Sequence, residues 1–197
     1  MALKTDWMRS SAKLALAIIA MLAISAETMG QTSIPPCPAT FAKLFSDEVF
    51  RAHAVHIAQK TGKPHPPNVK KGRAHLYRTV IREGAKLGPD FADHYTIIRI
   101  GCGAATTCLA IADAENGNVY FPPELTSVEA LLVDTGKMDI DALNYRRDSR
   151  LLIVVGSPNE ERRQAGISYY IWRSSKLRLL RFLPAAKLCG LPASTQF

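Results

Sequence analysis

The chain has 197 residues, with 25 Lys and Arg against 17 Asp and Glu, and its formal net charge is +8 at pH 7. A chain of this length suits a single domain that buries most of the surface its unfolded form exposes. Such a domain does not need disulfide bonds in order to have a core, which excludes a small scaffold held together by disulfides alone.

The N-terminal segment has the pattern of a secretion signal. Lys4, Arg9 and Lys13 precede an uncharged apolar run at residues 14–24, and small residues follow it up to Ala26. The run has eleven residues, whereas a spanning helix needs about 20 apolar residues. We therefore expect cleavage near Ala26 and a periplasmic or secreted protein, not a permanently anchored one.

The rest of the chain divides into two parts. Residues 27–38 form a Pro-rich lead-in, and residues 39–197 form a single β-rich domain. Removal of residues 1–26 leaves 22 Lys and Arg against 16 Asp and Glu, so the mature chain keeps a net charge of +6.

Four cysteines in an exported chain favour two disulfide bonds. We predict one bond between Cys37 and Cys189, at the two ends of the domain, and one between Cys102 and Cys108, across a short loop between two strands. Other connectivities stay open. A redox or metal thiol pair is disfavoured because the chain has no Cys-x-x-Cys motif.

The predicted fold class is α+β. Apolar spacing predicts a helix over residues 39–59 and a second, shorter helix over residues 74–86 that ends at Gly88, with a loop at residues 61–73 between them. Alternating apolar segments predict strands at residues 95–100, 108–112, 119–121, 150–155, 167–172 and 177–183. Residues 127–133 fit either a helix or a strand. We expect an antiparallel sheet or a small sandwich of about six strands, with one or two N-terminal helices packed on it.

Two short polar pairs predict tight turns between strands. They are Asn116-Gly117 and Ser174-Ser175.

A distinctive set of residues lies in the first half of the predicted sheet. It comprises Phe91-Ala92-Asp93-His94-Tyr95, Gly101-Cys102-Gly103, Cys108, and Asp113 with Gly117, Val119 and Tyr120. Over roughly residues 77 to 123 the chain resembles a family of small exported bacterial proteins of no assigned function. In that family the two cysteines lie closer together than here. The resemblance implies an envelope location and a disulfide-bonded hairpin, and it implies no activity.

The histidines offer two candidate sites. His94 precedes a predicted strand and, with Asp93 or Asp113, could act as the general base of a hydrolase-type enzyme. The structural alternative is a hydrogen-bonded histidine that fixes the start of the strand. The hydrolase motifs Gly-x-Ser-x-Gly and His-Glu-x-x-His are absent from the sequence, and Ser-x-x-Lys occurs only at residues 10–13, within the predicted signal peptide.

His53 and His56 would share one face of the first predicted helix, where Asp47 or Glu48 could approach them as further metal ligands. No Cys or carboxylate at short spacing from the two histidines completes such a site. We therefore predict no metal site, and we predict no cofactor.

Aromatic residues cluster in one predicted strand. Tyr170 and Trp172 share a face, and Tyr169 lies between them in sequence. We interpret them as core residues, with a sugar-stacking platform as the alternative.

The charge is unevenly distributed along the sequence. Eight Lys or Arg lie in residues 60–86, opposed only by Glu83, whereas residues 101–145 contain seven acids and only Lys137. A basic segment of this kind could bind an anionic envelope lipid or glycan. The candidate binding residues are Lys63, Lys70, Lys71, Arg73, Arg78 and Arg82. The alternative is a solvated loop that only maintains solubility.

The predicted function is therefore that of an exported, non-enzymatic binding or structural module of the envelope. The hydrolase built on His94 is the alternative. A lysozyme or protease inhibitor is third, because lysozymes are themselves cationic and would repel a basic chain. Another envelope protein is a possible partner. Nucleic acid is disfavoured because an exported protein rarely meets it and no recognition motif is present. No transmembrane segment is expected in the mature chain.

Overall fold

The computed structural model describes residues 43–58, 63–130 and 140–188, which belong to one compact unit. The predicted signal peptide, the Pro-rich lead-in and the predicted bond between Cys37 and Cys189 lie outside these residues. No helix in the described part of the chain has the length and apolar character needed to cross a bilayer.

Eight strands and five short helices form within the described residues. The strands are β1 (Tyr95–Gly103), β2 (Thr106–Asp113), β3 (Val119–Tyr120), β4 (Ser127–Ala130), β5 (Leu143–Tyr145), β6 (Leu151–Pro158), β7 (Gly166–Arg173) and β8 (Lys176–Pro184). The helices are α1 (Asp47–Arg51), α2 (Gly72–Leu76), α3 (Arg78–Lys86), a 3₁₀ helix (Arg162–Gln164) and α4 (Ala185–Leu188).

All the strands join one antiparallel sheet. Its main path runs β1-β2-β4-β6-β7-β8, while β3 pairs with β2 and β5 pairs with β6 beside that path. No pairing joins β1 to β8 among the described residues, so the sheet is open. The predicted α+β class is confirmed, and the sheet is single.

The inner face of the sheet carries the largest core cluster. Ile97 of β1 and Leu177 of β8 both belong to it, although these strands are the two edges of the sheet. The sheet therefore curves around this cluster. The Trp172 ring contacts the rings of Tyr95 and Tyr120 edge-on within it, at centroid distances of 5.3 and 5.6 Å.

Two smaller clusters cover the outer face. Val49 and Phe50 of α1 share one cluster with Ile153 of β6, and Ile81 of α3 shares the other with Ile98 of β1. Between these layers β6 is buried along its whole length. A strand that is buried on both faces has a nearly continuous apolar sequence, as β6 does.

The first predicted helix, over residues 39–59, is wrong in length. Within the described residues α1 ends at Arg51, and Ala54 forms an isolated β-bridge with Ser149. The Ser149 hydroxyl donates a hydrogen bond to the Phe50 carbonyl oxygen at 2.8 Å. Contacts with a distant part of the chain therefore end the helix, and apolar spacing alone contains no signal for them.

The other predicted elements are confirmed with small changes. The second predicted helix is present as α2 and α3, divided at Tyr77. The predicted number of about six strands is two short. The ambiguous residues 127–133 contain β4, and β5 has only three residues, too few for a periodic signal. Both predicted turns are present, with positive φ angles at Gly117 and at Ser174-Ser175.

Candidate functional site

The basic residues predicted to bind an anion lie on the segment that includes α2 and α3. All six side chains are exposed, and we call them the basic segment: Lys63, Lys70, Lys71, Arg73, Arg78 and Arg82. The nearby Glu83 pairs with Lys86 at 2.7 Å. In the described part of the chain no carboxylate forms an ion pair with any of the six.

A groove with a volume of about 480 Å³ lies beside the basic segment. Its lining residues are Asn68, Lys70, Lys71, Ala74, Asn118, Val119 and Tyr120. Cationic, amide and phenol groups together offer the hydrogen-bond donors that bind phosphate or carboxylate groups. The groove therefore joins two residues of the basic segment to the polar residues around β3.

The turn between β2 and β3 positions this segment. The His65 N–H donates to the Ala114 carbonyl oxygen at 2.8 Å, and the Asn68 N–H donates to the Gly117 carbonyl oxygen at 2.7 Å. Gly117 has a φ of +75°, and a Cβ at this position would lie 2.5 Å from the carbonyl oxygen of Pro66. Only glycine satisfies both the conformation and the close approach.

One contact with the sheet and one within the segment orient two of the arginines. The Arg73 guanidinium lies 4.7 Å from the centroid of the Phe121 ring, a cation–π distance. Arg78 donates a hydrogen bond to the His75 carbonyl oxygen at 3.3 Å.

Two leucines in or next to the helices α2 and α3 are exposed. Leu76 at the end of α2 is 69% exposed, and Leu87 just after α3 is 88% exposed. Single exposed leucines are common. These two lie in the stretch of sequence that carries the basic side chains.

The structure brings His94 together with both predicted carboxylate partners and with a third. Its Nδ1 lies 3.2 Å from Asp93 Oδ2 and 3.4 Å from Glu115 Oε1, and its Nε2 lies 3.8 Å from Asp113 Oδ1. The ring also stacks on Tyr95, at a centroid distance of 4.2 Å. Burial raises the pKa of Tyr95, so its hydroxyl stays protonated at neutral pH.

Asp113 is the buried member of this group, with 3% of its surface exposed. Its Oδ1 accepts the Glu115 N–H and its Oδ2 accepts the Asn116 side-chain amide, both at 2.8 Å. Asp113 therefore shapes the turn that carries Glu115. This structural role was not part of the prediction that paired it with His94.

Glu115 is the residue of this group that sequence reasoning missed. Tyr95 pairs with Asp113 in the β1–β2 ladder, and the Ala114 N–H donates to the His94 carbonyl oxygen at 2.9 Å. Continuing the antiparallel register beyond the predicted strands places the residues before Tyr95 next to those after Asp113. That register is the signal that identifies Glu115.

Two alternatives from the sequence are wrong. His53 and His56 lie beyond the end of α1, so they do not share a helix face. Tyr169, Tyr170 and Trp172 are 2–3% exposed, so they form core contacts as interpreted and offer no sugar-stacking platform.

The predicted bond between Cys102 and Cys108 is present. It links β1 to β2 at the end of the hairpin where the β1–β2 register shifts, between Gly101 and Gly103.

No family model, no curated protein and no solved structure matches this chain.

Proposed function

We propose that this protein is an exported, non-enzymatic envelope protein whose basic segment binds anionic lipid headgroups. The observation that carries the proposal is the groove of about 480 Å³ in which Lys70 and Lys71 meet Asn118 and Tyr120. Export rests on the signal pattern of the sequence, and the resemblance to small exported bacterial proteins agrees with it.

Electrostatic attraction favours binding of the basic segment to an anionic membrane surface. Each Lys or Arg near an anionic membrane surface contributes about 1 kcal/mol of binding free energy. The six exposed cations of the basic segment have no carboxylate ion pair within the described residues. Their charges are therefore available to a ligand outside the chain.

The exposed leucines favour a lipid surface over a glycan. Leu76 and Leu87 are 69% and 88% exposed, and apolar side chains that enter the headgroup region add to electrostatic binding. An acidic polysaccharide offers no apolar layer in which to bury them. The combination of basic and leucine side chains on one segment is typical of a segment that lies on a membrane surface.

The hydrolase alternative has less support. In the described part of the chain, the contacts recorded for the His94 side chain are with three carboxylates and the Tyr95 ring, and they include no hydroxyl or thiol group. A hydrolase with a side-chain nucleophile needs such a group within hydrogen-bond reach of its base, so these contacts give no support to that form of the alternative.

Charge reversal in the groove tests the proposal. We expect Lys70→Glu with Lys71→Glu to weaken binding to vesicles that contain phosphatidylglycerol by at least about 2 kcal/mol, or roughly 30-fold. Binding by the wild type should also weaken as salt rises to physiological strength, where the Debye length is about 8 Å. Vesicle cosedimentation over a lipid titration measures both effects.

A matched charge reversal elsewhere controls for net charge. Lys176→Glu with Arg178→Glu changes the same number of charges at two exposed positions of β8, and we expect it to weaken binding much less. Equal losses of vesicle binding in the two double variants, or no vesicle binding by the wild type at low salt, would contradict the proposal. The basic segment would then serve only to keep the protein soluble.

Substitution of the two exposed leucines tests whether the anionic ligand is a lipid headgroup or an acidic glycan. Leu76→Gln with Leu87→Gln should weaken binding to anionic vesicles and leave binding to heparin unchanged, whereas Leu179→Gln with Leu180→Gln, exposed on β8, should change neither. Tight heparin binding with no binding to vesicles would assign the groove to an acidic glycan and overturn the lipid proposal.

A further inference from the structure

The side chains of Asp93, His94 and Glu115 converge on one small volume. Each residue offers one possible ligand atom, and these atoms all lie within 4.8 Å of one another. Nδ1 of His94 is the central atom, at 3.2 Å from Asp93 Oδ2 and 3.4 Å from Glu115 Oε1. In a tetrahedral zinc site with bonds of 2.0–2.1 Å, neighbouring ligand atoms lie roughly 3.3 Å apart. The two separations from Nδ1 match this value, and the Asp93 and Glu115 oxygens lie within 4.8 Å of each other.

Long-range hydrogen bonds fix the backbone that carries the first two ligands. Ala92 and Asp93 have φ angles of 43° and 74°, a left-handed conformation that costs free energy for residues with a side chain. The Asp93 N–H donates to the Arg147 carbonyl oxygen at 2.7 Å, and the Ala58 N–H donates to Asp93 Oδ1 at 2.9 Å. The second oxygen of Asp93 is thereby turned toward His94.

The third ligand is held by Asp113. The Glu115 N–H donates to Asp113 Oδ1, so the turn that carries Glu115 is tied to the end of β2. The Glu115 side chain is 41% exposed, compared with 23% for His94 and 15% for Asp93. The group lies at the surface, where an ion and a water ligand reach it.

Asp113 lies on the opposite side of the His94 ring from the candidate ligand atom. Its buried carboxylate lies 3.8 Å from Nε2 of His94, the ring nitrogen opposite the candidate ligand atom. Histidines that bind a metal through one nitrogen usually direct the other N–H at a carboxylate, which fixes the tautomer and the ring orientation. In the tautomer that carries its proton on Nε2, that N–H would face Asp113, and Nδ1, which lies within hydrogen-bond distance of Asp93 in this structure, would coordinate the ion.

We propose that Asp93, His94 and Glu115 bind a divalent transition-metal ion, with Asp113 as the positioning residue for His94. One imidazole nitrogen and two carboxylate oxygens suit Zn²⁺ or Mn²⁺. Mg²⁺ and Ca²⁺ prefer ligand groups made entirely of oxygen. Three protein ligands leave the fourth position to water. The site shares no residue with the groove of the basic segment, so this inference does not depend on the lipid proposal.

Calorimetric titration of the untagged, chelator-treated protein tests this site. We expect one Zn²⁺ to bind per chain, with Mg²⁺ far weaker. Glu115→Gln and His94→Gln should each lower the Zn²⁺ affinity at least tenfold, and Asp113→Asn by about 10- to 100-fold. Co²⁺ in place of Zn²⁺ should give visible absorption bands that disappear in Glu115→Gln.

His56→Gln is the matched control. It removes an exposed histidine that lies outside the site and should leave Zn²⁺ binding unchanged. Glu115→Gln changes an exposed side chain, so its circular dichroism spectrum should match that of the wild type. The Glu115→Gln result therefore tests the site even if His94→Gln or Asp113→Asn does not fold. No Zn²⁺ binding by the wild type, or equal affinity in the wild type and Glu115→Gln, would overturn the inference.

Discussion

At the scale of single residues, Asp90 links the segment before β1 to the strand itself. Its Oδ1 accepts the Ile97 N–H at 2.9 Å. Burial raises the pKa of Asp90, while this hydrogen bond acts in the opposite direction. With a raised pKa the folded state keeps the proton to higher pH than the unfolded state does. The free energy of unfolding therefore falls as pH rises from the unfolded to the folded pKa.

We expect Asp90→Asn to remove this fall in stability. Asparagine keeps an acceptor for the Ile97 N–H but does not ionise. The free energy of unfolding of the variant, relative to wild type, should therefore increase as pH rises from below about 4, the ordinary range of carboxyl titration. Urea unfolding at a series of pH values measures the difference. Asp148→Asn, an exposed position, is the control, and a difference for Asp90→Asn that is constant with pH would contradict the argument.

The candidate residues were partly predictable from sequence. His94, Asp93 and Asp113 belong to a distinctive motif, and the pairing of His94 with either carboxylate was predicted from it. Glu115 was not, because its approach to His94 depends on the strand register and on the capture of its N–H by Asp113. The register identifies Glu115 only once the two strands are paired, and the spacing of residues within each strand does not fix that pairing.

At the scale of elements, the β2–β3 turn is the support on which the basic segment rests. We expect Gly117→Ala to lower the free energy of unfolding by roughly 2 kcal/mol or more. The added Cβ meets an unfavourable φ and would lie 2.5 Å from the Pro66 carbonyl oxygen. It should also weaken vesicle binding, because residues 65–68 would be displaced.

Denaturant unfolding and vesicle cosedimentation measure these two effects. Gly101→Ala is the matched control, because a Cβ at Gly101 meets nothing within 4 Å; it should change stability by less than about 0.5 kcal/mol. Wild-type stability in Gly117→Ala would show that the turn does not hold the segment.

The elements differ in how well local sequence predicts them. Both turns and six strands follow from local chemistry, because alternation and turn residues act over a few positions. The length of α1 does not, since Ser149 ends it from almost a hundred residues away. The strand β5 is too short for a pattern and exists because it pairs with β6.

At the scale of the whole molecule, the curvature of the sheet could not be predicted. This curvature is shown by Ile97 and Leu177, which lie on the two edge strands but belong to the same core cluster. Alternation indicates which face of a strand is buried but not which distant strand shares that face. The burial of β6 on both faces follows from the same curvature and from the outer cover of α1.

The proposed export also concerns the whole molecule. We expect the mature chain to begin close to residue 27, because the apolar run of eleven residues is too short to remain as an anchor. Mass spectrometry of the protein from a periplasmic fraction measures the processed N-terminus. An intact Met1 on protein found only in the cytosol would contradict the signal assignment.

The position of Trp172 would give the processed chain a built-in fluorescent reporter. The chain has two tryptophans, and Trp7 lies within the predicted signal peptide, so residues 27–197 contain Trp172 alone. Its indole is 3% exposed and touches the Tyr95 ring, which in turn stacks on His94. The tryptophan fluorescence of this chain would therefore report whether the inner core is folded. Through the Tyr95 ring, the indole is also connected to His94, one of the residues proposed to bind the metal ion.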